Sequence, residues 1–166
     1  MTQKESHSAR RVRLHRERKR AVAALEADCR KLLAAWENES EKAAVDFIEE
    51  QTLKQLWNTL LLFQQYSFQT ARQLRFTYFV SGGELFVSRK SKSITRATVE
   101  IAFRRALKLG GSRFPALVVG PKQLGCFGAS YLYPIFIRFG VISSPASQNE
   151  SQSNAKRDRK LAGNVI

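Results

Sequence analysis

Hydrophobic residues in the first half of the chain follow the spacing of long amphipathic helices. A first apolar seam has intervals of 3, 4, 3 and 4 residues, typical of a helix or a short coiled coil; it consists of Val22, Leu25, Cys29, Leu32 and Trp36. A second, wider apolar stripe predicts another helix over residues 39–72, buried on more than one side. Neither Gly nor Pro occurs between Met1 and Ser81, which favours long uninterrupted helices.

The pattern changes to that of β-strands after Arg75. Residues 76–80 and 84–88 are rich in β-branched and aromatic side chains, and the turn residues Ser81-Gly82-Gly83 separate them. The two runs therefore predict a β-hairpin. Because an isolated hairpin is only marginally stable, we expect it to pack on the helices.

Helical spacing returns in the C-terminal half. A helix is predicted over 94–109, with Ser93 or Thr95 as its N-cap and Gly110-Gly111 at its end. A short helix at 122–124 and a further helix at 129–139 follow, the latter containing Pro134.

These elements predict a mainly α, α+β fold with two long N-terminal helices, one β-hairpin and a compact basic C-terminal helical unit. The predicted organisation is a disordered basic arm (1–15), a long helical region (16–75), a basic hairpin-plus-helices domain (76–142) and a disordered basic tail (143–166). The turn at 125–128 also suggests a helix-turn-helix, with 129–139 as recognition helix and the hairpin as a wing in one variant. The short first helix and Pro134 do not fit a regular form of that motif.

The charge is large and unevenly distributed. The 166 residues have a net charge of +14 and a pI of about 10.4. Residues 72–142 contain twelve basic and two acidic side chains, and residues 1–31 ten basic and four acidic, whereas the segment between them is net acidic. Two basic blocks that flank an acidic segment indicate surfaces for a polyanion rather than a uniformly charged exterior.

Several function classes lack the residues that they need. The only histidines, His7 and His15, lie in the basic N-terminal arm, and the only carboxylates of 72–142 are Glu84 and Glu100. Two cysteines far apart in sequence give neither a zinc motif nor a disulfide scaffold, and no glycine-rich phosphate loop is present. We therefore expect no enzyme activity, metal or cofactor. With no secretory signal and no apolar run long enough to span a bilayer, we also expect an intracellular protein (cytoplasmic or nucleoid, or nuclear in a eukaryote) without a membrane partner.

The candidate binding residues are cations and hydroxyls in two groups. One group surrounds the start of the helix predicted at 94–109 and its outer face, where the helix dipole and charge-assisted hydrogen bonds favour phosphate; it comprises Arg89, Lys90, Lys92, Ser93, Thr95, Arg96, Arg104, Arg105 and Lys108. The other lies in the N-terminal arm and comprises Arg10, Arg11, Arg13, Arg16, Arg18, Lys19 and Arg20. Lys122, and Ser130 and Tyr131 at the start of the last helix, complete the set.

The sequence therefore predicts a non-enzymatic nucleic-acid-binding protein with a regulatory or accessory role, and favours DNA over RNA. The helices of residues 22–72 offer a homodimer interface, which suits two half-sites. One alternative is RNA or ribonucleoprotein binding, with aromatic side chains stacked on unpaired bases; the candidates are Tyr78, Phe86, Tyr131 and Tyr133. The other is a protein-interaction or assembly module that docks through the N-terminal helices.

Overall fold

Two long antiparallel helices form one side of the molecule. The structure, a computed structural model, describes residues 4–147. Helix α1 (His7–Glu37) and helix α2 (Lys42–Leu62) pack along most of the length of α2. The interface contains Leu25, Cys29 and Leu32 of the predicted seam, all with no exposed surface. The seam is therefore used within the chain, and a homodimer through 22–72, which remains a prediction, would have to use another face.

Three small sheets and two further helices complete the fold. Strands β1 (Phe68–Gln69) and β2 (Arg75–Phe76) are antiparallel, as are β3 (Tyr78–Ser81) and β4 (Glu84–Val87). Helix α3 (Arg96–Lys108), strand β5 (Ala116–Leu117), a 3₁₀ helix (Pro121–Leu124), helix α4 (Ala129–Arg138) and strand β6 (Ile142–Ser143) follow. Strand β6 pairs with β5 in parallel. The α+β prediction, with its two long N-terminal helices, is confirmed.

Helix α4 lies at the centre of the core. Leu132, Ile135 and Phe136 have no exposed surface, and Phe136 packs edge-on against Phe103 of α3. The β3–β4 hairpin is joined to α2 by a buried hydrogen bond that Tyr78 Oη donates to the Leu60 carbonyl over 2.6 Å. Among residues 4–147 no helix is long and apolar enough to cross a membrane.

The predicted disordered arm is wrong from His7 onward. Ser6 is the N-cap of α1, because its hydroxyl accepts a hydrogen bond from the Ala9 amide at 3.2 Å. Residues 1–3 lie outside the described residues. The helix continues without interruption into the packed region, so the basic residues of the arm lie on a helix.

The second predicted helix ends ten residues early, at Leu62 rather than residue 72. Arg18 of α1 donates hydrogen bonds to the carbonyls of Leu62 (2.8 Å) and Gln64 (3.5 Å), which caps the end of α2. The chain then turns back through Gln65, at φ 64°, and β1 lies where the end of the helix was predicted, whereas β2 lies beyond the predicted helix.

The predicted disordered tail is also wrong at its start. Ser143 belongs to β6, and the Ser144 amide donates a hydrogen bond to the Ser147 hydroxyl at 2.9 Å. Residues 148–166 lie outside the described residues.

Candidate nucleic-acid interface

Helix α3 presents a basic face because its opposite face is in the core. The predicted inner stripe is confirmed, since Val99, Ala102, Phe103, Ala106 and Leu107 are all buried. The outer face forms a shallow groove of about 410 Å³; it is lined by Ile101, Arg104, Arg105, Lys108 and Leu109. Cations and exposed apolar side chains therefore alternate along one helix face.

Neighbouring segments place further cations beside α3. Arg105 Nε donates to the Gln123 carbonyl at 2.8 Å, which brings α3 against the 3₁₀ helix that carries Lys122. Gly125, at φ 60°, permits this approach, because a Cβ there would lie 2.8 Å from Nη1 of Arg105. The ammonium group of Lys92 lies 5.0 Å from the Phe127 ring centroid in the next turn. We define the α3 surface as Lys92, Arg105, Lys108 and Lys122.

The two carboxylates of residues 72–142 are bonded elsewhere. Glu84 accepts a hydrogen bond from the Ser93 hydroxyl at 3.0 Å. Glu100 accepts from Arg96 Nε at 3.0 Å and from Trp57 Nε1 at 3.1 Å. Within the described part of the chain, no member of the α3 surface forms an ion pair. The surface therefore keeps its positive charge.

Some predicted contact residues are held in contacts within the chain. Arg96 lies over the Trp57 ring while it pairs with Glu100, and Arg104 pairs with Glu49 of α2. Arg13 pairs with Glu5 and Glu17. The hydroxyl of Thr95 is the N-cap of α3 and accepts from the Thr98 amide at 3.3 Å. These side chains stabilise the packing or the ends of helices, so their polar groups already have partners within the protein.

The helix-turn-helix interpretation is wrong. The first helix of the pair is a single 3₁₀ turn of four residues. Helix α4, which would be the recognition helix, contributes five buried residues to the core, and Tyr131 is only 8% exposed and packs against Phe76. Tyr131 is therefore not on a binding surface, whereas Ser130 is exposed.

The aromatic residues proposed for base stacking are mostly buried. Tyr78, Tyr131 and Tyr133 belong to the core, and Tyr133 Oη donates to the Val118 carbonyl at 2.7 Å. Phe86 is half-buried and stacks on Phe79, with ring centroids 5.0 Å apart and planes 8° from parallel. Phe79 is 48% exposed and was not predicted. The alternation of side chains along the two strands could have identified this pair, because Phe79 and Phe86 both point away from the buried face of the hairpin.

The remaining predicted cations are exposed in two places. Arg89 and Lys90 lie in the exposed loop after β4, together with Lys92. Arg10, Arg11, Arg16, Lys19 and Arg20 are exposed on the first half of α1. None of these forms an ion pair with a residue in the range 4–147.

The chemistry available to the two cysteines is limited by burial. Burial raises the pKa of Cys29 to about 12, and it also raises the pKa of Cys126, where nearby Arg105 offsets part of the effect. No group of three His, Cys, Asp or Glu side chains within residues 4–147 could hold a metal ion.

We expect Cys29 to be unreactive in the folded protein. A thiol reagent such as DTNB should label Cys126 slowly at neutral pH and Cys29 only in denaturant, because the thiolate is the nucleophile. The pKa of the Cys29 thiol is near 9 in the unfolded state and about 12 in the folded state, so the folded state binds the proton more tightly. The contribution of Cys29 to the free energy of unfolding should therefore fall as the pH rises from about 9 to about 12. Rapid labelling of both thiols in native buffer would contradict this prediction.

Comparisons of the chain with protein-family models, curated proteins and solved structures gave no match.

Proposed function

We propose that this chain is a non-enzymatic nucleic-acid-binding protein whose main contact is the α3 surface. The observation that supports this most is that the surface combines cations from three separate segments of the chain, while neither Glu84 nor Glu100 forms an ion pair with it. An ordinary exposed helix face mixes both signs of charge. A phosphate backbone is the polyanion that such a surface suits best.

The geometry prepares several of these side chains for phosphate. Arg105 uses Nε for the Gln123 carbonyl, which leaves its two terminal nitrogens for a phosphate oxygen pair. Lys92 and Lys108 lie over the rings of Phe127 and Trp36, at 5.0 and 5.2 Å from their centroids. These contacts restrict the long side chains before a ligand arrives, so less conformational entropy is lost on binding.

Duplex DNA is the first candidate ligand. Phosphate contacts from a rigid helix face and a flanking loop need no unpaired bases, and the basic half of α1 supplies further contacts to a long duplex. The α3 surface then positions the protein on the backbone without reading the sequence.

Single-stranded RNA is the second candidate, and the exposed Phe79–Phe86 stack favours it. An aromatic pair on a strand face can stack on successive unpaired bases, as single-strand binding surfaces do. The cations Arg89 and Lys90 lie in the loop that follows β4 and could contact the adjoining phosphates.

Fluorescence anisotropy across a salt series tests the proposal. The protein should bind a short duplex DNA more tightly than a single-stranded RNA of equal length. Four phosphate contacts predict that the logarithm of the binding constant falls with the logarithm of the salt concentration at a slope of about −3.6. Tighter RNA binding that Phe79→Ala abolishes would support the second candidate. No binding to either ligand at moderate salt would overturn the proposal.

A further inference from the structure

A second basic site lies between α1 and the end of α4. A half-open pocket of about 310 Å³ is lined by His15, Lys19, Val22 and Arg138. This volume is at the lower end of the range for small-ligand sites, which runs from roughly 300 to 1,000 Å³. Arg138 and His15 were not among the residues predicted to bind a ligand, because only the fold brings them together.

The guanidinium of Arg138, which lines this pocket, shares an aromatic pair with the guanidinium of Arg18. The Arg138 guanidinium lies 5.2 Å from the Phe63 ring centroid and 5.5 Å from that of Tyr66. The Arg18 guanidinium lies 5.2 Å from each of the same two centroids. Both arginines therefore pack against the same aromatic pair, and this brings their two positive charges close together.

No carboxylate in the range 4–147 forms an ion pair with His15, Arg18, Lys19 or Arg138. Burial lowers the pKa of Arg18, and the charge of Arg138 lowers it further. A cluster of cations that repel one another gains stability when an anion enters, so the electrostatics of the pocket favour a negatively charged ligand.

The donor set matches a phosphate group. Arg138 donates from Nε to Tyr66 Oη at 3.2 Å, and its terminal nitrogens form no hydrogen bond to any described residue. A planar guanidinium with free terminal nitrogens binds two oxygens of one phosphate, and Lys19 adds a second full charge from α1.

The pocket is separate from the α3 surface. Lys108 of that surface lies against Trp36, which is 17 residues along α1 from Lys19. At a rise of 1.5 Å per residue, the two places on α1 are about 26 Å apart. A single phosphate therefore cannot serve both.

We propose that the pocket formed by His15, Lys19 and Arg138 is a binding site for one phosphate group, carried by a nucleic-acid 5′ end or by a small phosphate ligand. The site does not depend on the proposed function, because a free phosphate satisfies it as well.

NMR titration of the labelled full-length protein with inorganic phosphate tests the site, with chloride at equal ionic strength as reference. We expect saturable shifts at residues 15–22 and 138, and smaller, non-saturating shifts on the α3 surface. Lys19→Gln should weaken phosphate binding by about fivefold or more, since a charge-assisted hydrogen bond is lost. The Lys19 side chain is exposed, so the variant should keep its melting temperature.

Lys31→Gln is the matched control. It makes the same change on the same helix, at an exposed position outside the pocket, and should leave the dissociation constant for phosphate unchanged. Equal weakening by both substitutions, or shifts spread evenly over all basic residues, would overturn the site.

The source of the phosphate is distinguished with two oligonucleotides that differ only in a 5′-phosphate. Tighter binding of the phosphorylated strand, lost in Lys19→Gln, assigns the pocket to a nucleic-acid end. Saturation by inorganic phosphate without discrimination between the strands assigns it to a small phosphate ligand. A chain that binds phosphate here but binds neither duplex nor single strand would overturn the proposed function and leave this site intact.

Discussion

Leu60→Asp is expected to unfold the protein. Leu60 has no exposed surface at the α2 face of the core, and its carbonyl accepts the buried hydrogen bond from Tyr78. Removing a buried leucine side chain costs about 2 to 5 kcal/mol, and burying a carboxyl group without a partner adds to that cost. The sum reaches about 5 kcal/mol or more, which is comparable with the whole stability of a small domain. Circular dichroism during chemical denaturation measures the loss.

Leu61→Asp is the matched control for this prediction. Leu61 is the next residue of α2, but 48% of its surface is exposed. Because Leu61 is half-buried and lies in the last turn of α2, the substitution should lower the free energy of unfolding by only about 1 kcal/mol, far less than Leu60→Asp. A normal transition for Leu60→Asp would show that this face of α2 is not packed as described, whereas unfolding by both variants would mean that Leu61 is covered by another chain.

A triple substitution on the α3 surface is expected to have the largest effect on nucleic-acid binding. Lys92, Arg105 and Lys122, each changed to Gln, remove three phosphate contacts from three separate segments of the chain. The salt slope should become shallower by about 2.7, and the affinity should fall by roughly 100-fold or more at about 0.1 M salt. The measurement is the same anisotropy titration on duplex DNA.

The control changes the same number of charges at other exposed positions. Lys31, Lys42 and Arg72 match the triple in residue types, and all three lie outside the α3 surface. Their replacement by Gln should reduce the salt slope by much less than 2.7, since only long-range attraction is lost. If both triples reduce the slope equally, binding depends on net charge alone and the α3 surface is not the contact.

The periodicity of hydrophobic residues predicted the elements whose buried face is determined by spacing within one helix or one hairpin. The inner stripe of α3, from Val99 to Leu107, and the register Tyr78 to Val87 follow from spacing and turn residues. Residues 63–75 could not be predicted in this way. Their helix-compatible composition is overridden by non-local contacts, since Arg18 caps α2 and Phe68 packs against Phe76.

Charge could be located from the sequence, but its pairing between elements could not. Arg96 pairs with Glu100 four residues later in α3, a spacing that the sequence contains, whereas Arg104 pairs with Glu49 of α2. Arg138 lies at the end of α4, and only the packing of α1 beside it forms the pocket. Ion pairs and pockets between distant segments depend on the tertiary arrangement, which spacing along one element does not contain.

The first two turns of α1 have a consequence for how the protein responds to a ligand. Residues 7–13 are all exposed, no acidic residue lies in the first turn of the helix, and Arg10 and Arg11 stand at the positive end of its dipole. Among residues 4–147, the side-chain contacts that support this segment are the Ser6 cap and the ion pairs of Arg13 with Glu5 and Glu17. Its local opening free energy should therefore be near zero, and its amide protons should exchange with solvent much faster than those of the packed turns. A bound polyanion would neutralise the repulsion among these arginines, so the segment would gain order and its amide exchange would slow while the core stays unchanged.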